Sequence, residues 1–263
     1  MIAYYEFGPP WGGFAVLTRT PQTWTSAGRI SVRTSQMKME TLTDIPFVLG
    51  APALMAWLRI EPDSEDAGEF EALLDLTRRG AKPKAVYSMF FIEDKGVDTV
   101  TLDGITFASR ALRRNLADVE RVFAYVATCG QEVDAVLPVQ GDLLKDYWRE
   151  VIKESLLESA TTYLFGELQR KYRIAQTATM NPGSGDATVW PIEQQRELFA
   201  LLGDVEAGIG VQLTPSYLMT PNKTVSGILF PTESDFRTCQ VCHRDPCPNR
   251  RAPFDEALWA ALQ

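Results

Sequence analysis

The stretch GDLLKDYWREVIKESLLESATTYLFGELQRKY, residues 141–172, decides the fold class. Its apolar residues Leu144, Trp148, Val151, Ile152, Leu156, Ala160, Tyr163 and Leu164 recur at intervals of three and four. That spacing predicts one helix from about Gly141 to Tyr172 with a single face in the core. A helix this long needs a broad apolar partner, and the flanking sequence supplies strands. KAVYSMFFIE (84–93) and DTVTLDGITF (98–107) read as strands around the turn DKGVD. Val119 to Ala127 is a strongly apolar β segment that ends at Thr128-Cys129-Gly130. GVQLTPSYLMTPNKTVSGILFP (210–231) reads as two strands flanking a turn at Pro221-Asn222.

Shorter helices fill the remaining order. DSEDAGEFEALLDLTRRGAKP (63–83) has acidic residues first, basic residues last and a closing Gly80. Its apolar face is read as Phe70, Leu73, Leu74 and Leu76. SRALRRNL (109–116), PIEQQRELFALLG (191–203) and FDEALWAAL (254–262) read as helices, and TATMNPGSGDATVWP (177–191) as a glycine- and proline-rich loop. Strands and helices in this order predict an α+β fold: a mixed or antiparallel sheet with long packed helices. Near the start, GFAVLTRT and GRISVRT alternate like strands, and Trp11 and Phe14 read as local packing. The expected division is a strand-rich segment 1–44, a main domain 45–235 and a cysteine-rich tail 236–263.

Composition narrows the function. The 263 residues are 45% apolar with a net charge of −8. An acidic chain is a poor general binder of nucleic acid or anionic membrane. No run of 18 apolar residues suggests a spanning helix, and the start lacks a signal-peptide pattern. A cytoplasmic protein with no nucleic-acid or membrane partner is expected. A single histidine, His243, argues against multi-histidine metal centres and against a Ser-His-Asp triad.

That histidine sits in CQVCHRDPCPNRR (239–251), with Cys239, Cys242 and Cys247 at the spacing Cys-x2-Cys-x4-Cys. In a reducing compartment, clustered thiols point to metal or redox chemistry rather than disulfides. Arg237, Arg244, Arg250 and Arg251 would favour thiolate. Three readings stand. Cys129 joins the three as distant fourth ligand of a [4Fe–4S] cluster, and the tail folds back onto its strand. Alternatively zinc takes the three with His243 or Cys129, though His243 directly follows Cys242 and points awkwardly. Or there is no metal, only a redox thiol pair. Asp186 and Glu193 are candidate acid–base carboxylates.

IGVQLTPSYLMTPNKTVSGILFP (209–231), MNPGSGDATVWPIEQQRELFALL (180–202) and FASRALRRNLADVERVFAYVATCGQEVD (107–134) resemble the reactivation domain of cobalamin-dependent methionine synthase, in its free-standing anaerobe type with a cysteine-rich tail. The resemblance covers about residues 85–235. It implies a reactivation-domain-like fold that docks on a corrinoid protein or cobalamin-dependent methyltransferase, whose cobalamin is reduced and remethylated. It also implies S-adenosylmethionine near Asn181, Pro182, Gly183, Ser184, Gly185 and Tyr217. The sequence departs from the family's Arg-x-Ala-x-Gly-Tyr run, with Thr179 and Ser184 at the arginine and tyrosine positions. Reduction of Co(II) needs a low-potential electron, which an iron–sulfur tail would suit.

Overall fold

The computed structural model describes residues 38–262 except 139, 140, 187, 235, 248 and 249. The N-terminal strands expected from GFAVLTRT and GRISVRT, and the packing of Trp11 and Phe14, lie outside the described residues.

In chain order the elements are β1 (Glu40–Leu42), α1 (Ala51–Leu58), α2 (Glu65–Gly80), β2 (Lys84–Lys95), β3 (Thr99–Leu102), β4 (Ile105–Ala108) and α3 (Arg110–Asn115). There follow β5 (Arg121–Thr128), α4 (Glu132–Val136), α5 (Leu143–Tyr172), β6 (Thr177–Met180), α6 (Gln195–Leu202) and α7 (Val205–Ile209). The chain then forms β7 (Gln212–Leu213), β8 (Met219–Thr220), β9 (Thr224–Pro231) and α8 (Glu256–Ala260). The main sheet runs β4-β3-β2-β5-β9-β6, with β1 also on β2, and every pairing is antiparallel. The α+β expectation holds.

The sheet is organised by β5, whose side chains alternate between two cores. Val122, Ala124 and Val126 join a cluster with α3, α6, α7 and the tail residues Phe236 and Val241. Phe123, Tyr125 and Ala127 meet Ala160, Leu164 and Leu168 of α5. The first half of α5 serves a third cluster, where Trp148, Ile152 and Leu156 pack with Phe70, Leu74 and Cys129. One helix thus spans two cores, which is why its stripe is so long. Asp142 caps it by accepting from the amides of Leu144 and Lys145 at 2.9 and 3.2 Å.

Several expectations are corrected. Leu144, Tyr163 and Leu76 flank their stripes and are exposed. Thr177–Met180, read as loop, is the edge strand β6, too short for its alternation to stand out. DTVTLDGITF is not one strand but the β3–β4 hairpin, because Asp103 and Gly104 both take positive φ. The sheet begins before the expected boundary at 44/45, since β1 pairs with β2.

Candidate functional site

Where β6 ends, the chain enters the loop 181–190 and wraps the edge of the sheet. Asn181 is the pivot. Its amide donates to the Tyr125 hydroxyl at 2.9 Å and to the Ser226 carbonyl at 2.7 Å. This is sterically allowed because position 227 is glycine: a Cβ there would lie 2.4 Å from Asn181 Nδ2. Ser226 Oγ lies 2.6 Å from Gln195 Oε1, and the Gln195 amide reaches the Pro182 carbonyl at 3.5 Å. Gly183 N–H closes the loop on the Trp190 carbonyl at 2.8 Å. Trp190 is fully buried, edge-on to Phe107, and Ser109 Oγ donates to the Val189 carbonyl at 2.6 Å. The loop is therefore backed by satisfied buried polar groups and one large aromatic. Burial pushes the Tyr125 phenol up to about 12, so it stays protonated at neutral pH.

The tail lies on this loop. A Cβ at Gly185 would sit 3.3 Å from Thr238 Cγ2 and 3.4 Å from Cys242 Cβ. His243 Nδ1 is 3.3 Å from Asp186 Oδ2, and its ring contacts Phe254 and Trp259 at 4.5 and 4.4 Å between centroids. The Asp186 carboxyl is held below its ordinary range, first by the Thr188 amide, then by the Thr188 hydroxyl, with His243 adding to both. It is a standing carboxylate, not a proton donor. The tail itself is folded around Arg250. Its guanidinium donates to the carbonyls of Cys239 (3.1 Å), Cys242 (3.1 Å), Arg244 (2.6 Å) and Ala252 (3.3 Å). The Arg251 amide points at Cys239 Sγ, 3.5 Å away.

Two expected groups of residues thus meet: the loop Asn181–Gly185 and the tail cysteines. Two expected members do not join them. Tyr217 occupies the β7–β8 turn with a φ of 63°, and no hydrogen bond or ring contact links it to the loop among the described residues. Cys129 lies in a different core. It is fully buried in the α2–α5 cluster, with its N–H on the Lys223 carbonyl at 3.0 Å. The glycine after it does allow a close approach: a Cβ on Gly130 would fall 2.1 Å from the Lys82 carbonyl oxygen. Burial pushes the Cys129 thiol up to about 11, against the opposing pull of Lys153.

The tail does not fold back onto the β5 strand end. Cys242 rests against the loop after β6, and β9 stands between β6 and β5. Two inter-strand spacings amount to about 10 Å of sheet. A single cluster ligated by Cys129, Cys239, Cys242 and Cys247 does not fit this arrangement. Among the described residues no group of three or more His, Cys, Asp or Glu side chains is placed to hold a metal ion.

Sequence reasoning missed Tyr125, Gln195, Ser226, Gly227 and Arg250. Ser226 and Gly227 stood inside the recognised Val-Ser-Gly run, but only the tertiary contact with Asn181 gives them a role. Arg250 was read as a charge near thiols, not as a carbonyl clamp.

Residues 140–249 match the family model described as vitamin B12 dependent methionine synthase, activation domain. That segment runs from just before α5 into the tail. No curated protein matches it in sequence. Among solved structures it is similar to a crystal structure of the MetH reactivation domain bound to AdoHcy. That likeness has 18% identity, covers 78% of this chain and 82% of that one, and has a TM-score of 0.49. No helix among the described residues is long and apolar enough to cross a membrane.

Proposed function

We propose that this protein serves the reactivation of cobalamin-dependent methyl transfer. It docks on a corrinoid protein or cobalamin-dependent methyltransferase and holds an S-adenosyl ligand at the loop Asn181–Asp186. The observation that carries the reading is the family match across α5, the loop, α6 and β9, which takes in Asn181, Gln195 and Ser226 of the loop network. S-adenosylmethionine, when bound, would supply the methyl group. The chain's own residues would bind and orient it. Asp186, held ionised, suits a cationic end of the ligand, and the positive φ of Gly183 and Gly185 lets the loop turn tightly around it. Thr179 and Ser184 stand where the family uses arginine and tyrosine, so Asp186 and Asn181 carry more of the recognition.

Calorimetric titration with S-adenosylhomocysteine tests the ligand. Saturable heat that Asp186→Asn weakens is expected, and no heat sinks this part. Co-purification with a cob(II)alamin-loaded corrinoid protein tests the docking, and absence of a complex sinks that part.

A second reading places a metal, zinc or an iron–sulfur cluster, on Cys239, Cys242 and Cys247 alone. It is favoured by the Arg250 clamp, which holds the carbonyls of Cys239 and Cys242 in one short loop. The metal would draw the thiolates together and supply either a structural tie or an electron. Metal content and the visible spectrum of anaerobically prepared protein decide it, and metal-free, colourless protein ends it. Retention of metal in Cys129→Ser separates this site from the four-cysteine form.

A further inference from the structure

An open groove of about 1340 Å³ lies away from the loop, at the start of β6 rather than its end. Four separate pieces of chain form its walls: the α3–β5 connection, the α5–β6 connection, the exit from β9, and the tail with Gln240 and Leu258. Neither the Asn181 network nor the cysteines line it.

Three arginines do. Arg114 and Arg121 come from the α3–β5 connection and Arg173 from the α5–β6 connection, and among the described residues none of them makes an ion pair. Glu120, which also lines the groove, is instead held by Lys95 at 3.1 Å. Arg121 is also fixed in place: its guanidinium stacks at 5.8 Å on Phe123 and 5.5 Å on Tyr172. A stacked guanidinium keeps its in-plane donors free, which is the geometry that recognises phosphate oxygens. The same groove exposes Phe91, 56% accessible in the second half of the long strand β2, a flat apolar surface with no ring partner among the described residues. Asp118 and Glu233 line it too, so a bare polyanion is disfavoured and a phosphate accompanied by a divalent cation is favoured.

We infer that this groove binds a nucleotide-class ligand, its phosphates on Arg121 and Arg173 and its ring against Phe91. The size suits a ligand larger than a single sugar phosphate.

The test is calorimetric titration of the purified full chain with inorganic pyrophosphate and with ADP, each in low salt with Mg²⁺. Both probes bind saturably, ADP the more tightly, and added salt weakens both. The double variant Arg121→Gln/Arg173→Gln lowers the affinity by roughly tenfold or more. Should that variant fail to fold, exposed Arg173→Gln alone carries the comparison. No saturable binding of either probe up to about 5 mM overturns the inference. So does an affinity the variants leave unchanged. ADP binding no tighter than pyrophosphate overturns the nucleotide assignment. ADP shares its adenosine with the S-adenosyl ligand, but the groove excludes the loop 181–186, so the arginine variants and pyrophosphate separate these outcomes from the S-adenosyl reading.

Discussion

Cys129 and the tail cysteines are one kind of side chain in two kinds of surroundings. Cys129 sits with Phe70, Trp148 and Ile152, where burial keeps its thiol neutral and its role is packing. The tail cysteines sit in a loop held by one guanidinium on four carbonyls, by the Asp186–His243 contact and by its apolar neighbours Val241, Phe254 and Trp259. The first region is stabilised by excluded water and would survive the loss of any one polar contact. The second combines a few polar contacts with an apolar anchor at Phe236 and Val241. In the tail, Cys239 and Cys247 are partly exposed while Cys242 is buried; Cys129 is fully buried.

The comparison breaks hardest at the aromatic centre of the first region. Trp148→Ala is expected to cost about 3–5 kcal/mol of global stability, since it empties a fully buried site between α2 and α5. Chemical denaturation measures it, and a loss under 1 kcal/mol would mean that this core is looser than described. Cys129→Ser comes next, at about 1–3 kcal/mol, because it leaves a hydroxyl among apolar neighbours. A neutral result would show that Cys129 is not packed there.

Arg250→Ala should act only on the tail. Its four carbonyls lose a charged donor, a local cost of about 1.5–3 kcal/mol. Hydrogen exchange should rise between residues 238 and 255 while the main melting transition stays put. Cooperative loss of the whole fold would show that the tail is not a separable unit. The smallest effect concerns pH. A carboxyl with a lowered folded pKa contributes stability above its unfolded value and loses it as pH falls through the folded one. Acidification below about pH 4 should therefore loosen the tail from Asp186, followed by proteolysis at Arg244 or Arg250. Asp186→Asn should be loose already at neutral pH and insensitive to that change.

Much of the fold was legible because its signals are local and repeated. The stripe of α5, the caps and charges of α2, and the strands β2, β5 and β9 each depend on residues a few positions apart. β6 was not legible: four residues carry too little periodicity, and its strand state comes from pairing with β9. At the site, the loop Asn181–Gly185 and its meeting with the cysteine tail were half visible. The glycines and the thiols could be read, but their contact could not. Cys129 was misjudged as a ligand because apolar strand, cysteine and glycine in sequence describe a buried core thiol as well as a metal site.

The sequence alone determined the class of fold, the family resemblance and the concentration of thiols in the tail, since these depend on composition and short-range spacing. Only the tertiary structure decided which cysteines share a neighbourhood. It set Cys129 in the α5 core, Cys242 against Gly185, and three arginines around one groove. The reason is the order of strands: β9 pairs between β5 and β6, and that long-range choice is written in no single stretch of the chain.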